Sequence, residues 1–496
     1  MRPLEALLLS ANLLTFASLA FPRAKRWMPH LAAAAPLIAI AQVLLEGPRW
    51  EMAPAYALTA TFFLVWLNRS IAPHPAGNKP AHQFVRVPGI VIGVSGLAAA
   101  IALPLILPVF SFPTPTGPYG IGTLTYHFVD ASRPEIFSAD PEARRELMVQ
   151  IWYPAKVDKQ LPRALYIPDA EAVTSAFARI HDRPEFLFGR FKYVATNAIP
   201  SAPAAGGQTG YPVLLFLEGA TGYRQMNTFQ VEELVSHGYI VAALDQPGAA
   251  ADVVFPDGRE VGGLSLGQMA LIRQSYLPSG PAPMLNGRSF ESGVIGFLAQ
   301  DITFTLDRLA SVNRADPNGI LTGKLDLRRA GVFGVSLGGI VAAEACQTEP
   351  RLSACLVMDA PMSASVVETG LRQPSMWITR DAASMRLERE RAGGWPEEEI
   401  HAHLSSMRAV YERLPGAGYF VQVPGMFHSN FLDVPLWSPL ASAFGLTGPI
   451  DGRRARGIVN AYSLAFFERH LKGQTPELFN GPSMQYPEVL FETRQP

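Results

Sequence analysis

The stretch AGVFGVSLGGIVAAEA, Ala330 to Ala345, constrains this chain more than any other. An apolar, β-prone run leads into Gly-x-Ser-x-Gly and then into small, helix-compatible residues, so Ser336 belongs on a tight strand-to-helix turn. Such a turn drives the serine into an unusual backbone conformation, and glycines at 334 and 338 leave room for neighbouring chain. The hydroxyl then stands exposed. The amide N–H of Leu337, first in the helix, has no partner within it and points toward any negative charge that develops nearby. Ser336 is therefore the candidate nucleophile, and Leu337 the first candidate oxyanion donor.

Around this turn, β-prone runs alternate with amphipathic helix-length segments, the pattern of a mostly parallel sheet covered by helices. The strands read as Thr123 to Phe128, Leu147 to Tyr153, Val213 to Leu217, Tyr239 to Leu244, Ala330 to Gly334, Ala354 to Met358, Ser375 to Thr379 and Tyr419 to Val423. Helices are expected at Asn227 to Ser236, Gly293 to Val312, Leu337 to Cys346 and Arg456 to Leu471. This is an α/β class chain with an eight-stranded sheet, and the serine turn points to the α/β-hydrolase fold. Ala382 to Leu414 does not fit the alternation and reads as a helical insertion, either over a substrate pocket or as a surface elaboration.

A serine hydroxyl needs a base, and the base an orienting acid; in this fold they follow the serine in the order acid, then histidine. Asp359 ends the strand after the serine helix, at the carboxyl edge of the sheet. His428 follows the strand Tyr419 to Val423, on a loop that can return over that edge. His401 and His403, on the charged inserted helix, read as a solvated face, and His470 as solvent-facing or capping. The second oxyanion donor is placed at the amide of Ala220, in LEGATGYR, where Gly219 and Gly222 allow the turn. Glu218, Tyr223 and Arg224 beside it are candidate pocket residues. No metal-ligand spacing is present in the sequence and no cofactor is expected. The residues alone leave open an ester or an amide substrate, or a domain that only binds.

Hydrophobic residues make up 48% of the 496-residue chain and charged ones 17%, and the apolar excess concentrates in the first 110 residues. Stretches from Leu4 to Phe21, His30 to Leu45, Ala53 to Leu67 and Pro88 to Phe110 read as about four transmembrane helices, the middle two short. Ser18-Leu19-Ala20 resembles a cleavage site, but the start carries Glu5 and only Arg2 as a basic residue, and further apolar segments follow at once. Arg23, Lys25 and Arg26, then Arg69, Lys79 and Arg86, mark cytoplasmic loops, which places the later residues on the extracytoplasmic side. Residues 1–110 are thus expected as a multi-pass membrane anchor, 111–122 as a Pro- and Gly-rich linker, and 123–496 as the catalytic domain. A net charge of -1 gives no reason to expect nucleic acid; the partners are the bilayer and a small-molecule or lipid ester. Cys346 and Cys355 are open to pairing or to burial as free thiols.

Three blocks together resemble the platelet-activating-factor acetylhydrolase family and its bacterial esterase relatives. They are YPVLLFLEGATGYRQMNTFQVEELVSHGYIVAALD, GVSLGGIVAAEA followed by LVMDAPM, and GMFHSNFLD. The resemblance extends over most of Leu147 to Leu471. It implies carboxylic ester hydrolysis, with the family's Ser, Asp and His at Ser336, Asp359 and His428 and its oxyanion amides at Leu337 and Ala220. Where the family has a histidine before the oxyanion-loop glycine, this chain has Glu218. A carboxylate there disfavours nearby negative charge unless paired, with Arg224 as the expected partner.

Overall fold

The structure is a computed structural model that describes residues 1–20, 29–71, 82–157, 160–206, 210–263, 268–278 and 280–495. Two compact units emerge, 1–110 with 437–440, and 111–436 with 441–496. Arg23, Lys25, Arg26 and Lys79, which carry much of the orientation argument, lie outside the described residues.

The first unit holds the helices α1 (Pro3–Ala20), α2 (Pro29–Leu45), α3 (Ala53–Ile71) and α4 (His82–Ile106). One window, Gly89–Ile106, is long and apolar enough to cross a membrane by length and composition. Pro3–Ser18 and His30–Leu45 are apolar but shorter. By this measure the expected four spans reduce to one among the described residues, because α1 and α2 fall short and Asn68 and Arg69 dilute α3. The unit nevertheless turns polar groups inward and apolar ones outward. Glu5 is fully buried and accepts from Arg49 Nε at 2.7 Å and from Arg2 Nε at 2.8 Å. Asn12 donates to the Ala55 carbonyl at 3.0 Å, while Leu13, Leu37, Leu44, Leu64 and Ile92 are exposed.

The second unit is built on the strands β1 (Gly120–Pro134), β2 (Arg144–Ala155), β3 (Ile199–Pro200), β4 (Tyr211–Leu217) and β5 (Ile240–Asp245). It continues, after the short hairpins β6–β7 (Asp252–Val254, Glu260–Gly262) and β8–β9 (Met284–Leu285, Arg288–Ser289), with β10 (Leu325–Val335) and β11 (Leu352–Met358). Then come β12 (Ser375–Thr379), β13 (Gly418–Gln422) and β14 (Leu490–Arg494). The sheet runs β14-β13-β12-β11-β10-β4-β5-β2-β1-β3. It therefore has ten strands among the described residues, not eight. The additions are edge strands with weak patterns: β3 is two residues long, and β14 is largely exposed. From β5 through β13 the pairing is parallel, and β4 and β5 are buried at every position, as strands covered on both faces must be.

The covering helices include α5 (Ala170–Ile180), α6 (Thr228–Ser236), α7 (Ala270–Tyr276), α8 (Ile295–Arg314), α9 (Leu337–Thr348) and α10 (Ala364–Thr369). The insertion between β12 and β13 forms α11 (Ala382–Ala392) and α12 (Glu397–Glu412). The chain lays β5 on one side of β4 and later returns to lay β10 on the other. The strand order reverses between β4 and β10, so their carboxyl ends open a crevice there. Cys346 and Cys355 are buried free thiols, with burial and Cys355 pushing the Cys346 thiol well up.

Candidate active site

Ser336 stands at the carboxyl end of β10 with φ 55° and ψ −124°. Two glycines make that turn possible. A Cβ on Gly338 would lie 2.1 Å from the carbonyl oxygen of Leu217, and one on Gly334 would lie 2.2 Å from that of Gly338. The serine amide is tied to the Met358 carbonyl at 3.0 Å, which ties the turn to the end of β11. Asp359 and Thr221 also have positive φ, 45° and 60°. Three strained non-glycine residues thus converge on one sheet edge, as is common where function sets the geometry.

Asp359 is fully buried just beyond β11. Its Oδ2 lies 2.6 Å from His428 Nδ1 and accepts from Arg380 Nε at 2.8 Å, while Oδ1 accepts from Thr379 Oγ1 at 3.0 Å. Burial alone would raise its pKa, but the Arg380 guanidinium and the His403 and His428 rings outweigh burial and hold the carboxyl well below its usual range. With Nδ1 engaged, Nε2 is the histidine nitrogen left for chemistry. Ser336 and His428 face one cavity of about 320 Å³. Ser336 Oγ carries no hydrogen bond among the described residues, and such contacts tighten when substrate binds.

Leu337 and Ala220 both line this cavity, and among the described residues neither backbone amide donates to a backbone acceptor. Leu337 opens α9, where an unpaired N–H follows from helix geometry. Ala220 is held by its neighbours: Thr221 N–H bonds the Ala249 carbonyl at 2.6 Å, and a Cβ on Gly219 would come within 3.3 Å of Ser336 Cβ. The arrangement can accept a hydroxyl proton on an imidazole and offer two N–H groups to a developing oxyanion.

Glu218, Tyr223 and Arg224, expected as pocket residues, do not line the cavity; they are buried. Arg224 is the partner of Asp245, to which it gives its guanidinium and its amide N–H, the latter at 2.6 Å. This corrects the expected Glu218–Arg224 pair. Burial, with Asp245 adding to it, pushes the Glu218 carboxyl well up. Tyr223 bonds Tyr166 at 3.1 Å, and Tyr166 donates to Asp433 at 2.9 Å.

The insertion supplies groups that sequence reasoning missed. Trp395, Glu399 and His403 line the cavity, so the segment covers the site rather than decorating the surface. His403, read as solvated, is 1% exposed, with Nε2 3.5 Å from Asp359 Oδ1 and its ring 4.9 Å from that of Trp395. Burial drives its pKa down and keeps it neutral. His181, after α5, enters the same cavity and meets Thr221 Oγ1 at 3.2 Å. Met269, Ile272, Tyr276 and Ile340 make most of the remaining wall apolar. His470 is half-buried in the last turn of its helix: its Nε2 meets the Tyr419 hydroxyl at 3.1 Å, and burial pushes its pKa down to about 4.

Comparisons with known proteins agree with this architecture. The chain matches the family described as platelet-activating factor acetylhydrolase, isoform II, over residues 108–257 and 317–480. A probable 1-alkyl-2-acetylglycerophosphocholine esterase of Arthroderma benhamiae is 24% identical over 409 residues, 77% of this chain and 94% of the relative. The platelet-activating factor acetylhydrolase of Cavia porcellus is 21% identical over 393 residues, 73% of this chain and 78% of the relative. Among solved structures, a ferulic acid esterase from Streptomyces cinnamoneus superposes with a TM-score of 0.60 at 27% identity, covering 77% of this chain and 99% of that one. The matched segments include the serine turn, the Asp359 strand and the His428 loop, and on them the chain belongs to the platelet-activating factor acetylhydrolase, isoform II, family and is a carboxylic ester hydrolase.

Proposed function

We propose that the chain hydrolyses lipid-type carboxylic esters by two-step acyl transfer through Ser336, His428 and Asp359. The observation that carries this reading is the Asp359–His428 contact of 2.6 Å beside a strained serine at the mouth of an apolar cavity. His428 Nε2 takes the Ser336 proton as Oγ bonds the ester carbonyl carbon. The tetrahedral oxyanion is held by the amides of Leu337 and Ala220. As the carbonyl re-forms, the C–O bond to the alcohol breaks and His428 returns the proton to the leaving oxygen. Water then repeats the sequence on the acyl-serine. Asp359 keeps Nδ1 protonated and balances the imidazolium. The activities for which the Arthroderma benhamiae and Cavia porcellus relatives are named support an acylated glycerophospholipid-type substrate.

The helices before residue 110 serve in this reading as a membrane anchor. Support comes from the inward Glu5–Arg49 pair and the outward Leu13, Leu37, Leu44 and Leu64, the reverse of a water-facing bundle. A fluorophosphonate probe tests the catalytic reading. It should label the wild-type chain at Ser336, and Ser336→Ala should lose both label and short-chain aryl esterase activity. A folded Ser336→Ala that hydrolyses at the wild-type rate ends the proposal.

A further inference from the structure

Asp359 shares one carboxylate oxygen between two cationic or potentially cationic groups. Arg380, with a side chain 2% exposed, brings Nε to 2.8 Å from Oδ2, the oxygen that His428 Nδ1 reaches at 2.6 Å. The other side of this guanidinium pairs with Glu388 of α11. The two oxygens of Glu388 also accept the backbone N–H of His428, at 3.2 and 3.3 Å. Trp395 closes the row, with Arg380 Cζ 4.6 Å from its ring centroid and the His428 ring 5.4 Å away, edge to face. Charge alternates along Glu388, Arg380 and Asp359 before reaching the imidazole.

A carboxylate beside a histidine stabilises the imidazolium, and a guanidinium on the same carboxylate opposes that effect. An acid on the far side of the guanidinium partly cancels it. We infer that Arg380 and Glu388 are positioning residues that set the basicity of His428, Arg380 lowering it by competing for the charge of Asp359 and Glu388 restoring part of it. The inference rests on the reading of His428 as general base. Other titratable groups on the cavity walls are Glu399 and His403 of α12, Tyr276 of α7, and His181. Arg273 engages Glu399 at 3.1 Å. None of these groups is altered by the variants below.

The test is the pH dependence of kcat/KM for a 4-nitrophenyl ester, measured on the full chain in detergent. The acid limb reports the base that must be deprotonated. Arg380→Gln removes a cation and should move that limb up by about one pH unit; Glu388→Gln removes an anion and should move it down by about half a unit. Arg380→Lys keeps the charge and should stay near wild type. If Arg380→Gln does not fold, Glu388→Gln and Arg380→Lys carry the comparison. An acid limb unmoved in every folded charge-removing variant, even with kcat or stability lowered, overturns the inference, as does a shift of opposite sign. Full activity in Ser336→Ala would instead overturn the underlying catalytic reading.

Discussion

His428 Nδ1 and Asp359 Oδ2 lie 2.6 Å apart although 69 residues separate them in the chain. Asp359 directly follows β11, His428 follows β13, and between them run α10, β12, the α11–α12 insertion and β13. The insertion folds back so that Trp395 and His403 stand over this pair. The acid–base end of the site is therefore enclosed by the segment that departs from the alternating pattern.

Asp359→Asn keeps shape but removes the charge that holds the histidine tautomer. On the catalytic reading, kcat should fall by about 10⁴-fold with KM changing little. Steady-state kinetics on an aryl ester measures it. A loss below tenfold would show that Asp359 does not serve His428 in this way.

Gly338→Ala should be severely destabilising. Its Cβ would meet the Leu217 carbonyl at 2.1 Å, and the backbone of β4 cannot yield without moving the oxyanion loop. A cost of at least about 3 kcal/mol follows from overpacking against main chain. Thermal unfolding should show a marked fall in Tm together with lost esterase activity. A Tm equal to wild type would contradict the close approach.

Glu218→Gln should match wild type near pH 4 and should stabilise the fold from neutral pH upward. A carboxyl raised in the folded state costs nothing while it is protonated in both states. Above its unfolded value, near 4.5, only the unfolded chain can ionise, so folding stability falls as pH rises. Glutamine removes that dependence. Tm for the variant should exceed wild type at pH 8 and match it near pH 4. The opposite ordering would mean that Glu218 is ionised in the fold.

On the membrane reading, the full chain should stay in the membrane fraction through an alkaline carbonate wash and be released by detergent. Release by carbonate alone would show that the outward leucines of α1–α4 meet something other than lipid.

The serine turn was legible in the sequence because its constraint is local: a strand, two glycines and a helix leave the backbone at residue 336 one way to turn. Asp359 and His428 were legible through order along the chain, since successive strands of a parallel sheet deliver their carboxyl ends to one edge. The edge strands β3 and β14 were not, because strands so short or so exposed carry little hydrophobic period. His403 was misread because a helix face turned toward buried polar side chains such as Asp359 carries the same residue types as one turned toward water. The partner of Arg224 and the raised carboxyl of Glu218 depend on which groups share a buried space. Desolvation and proximity across β4 and β5 decide that, and neither is written in the spacing of residues along the chain.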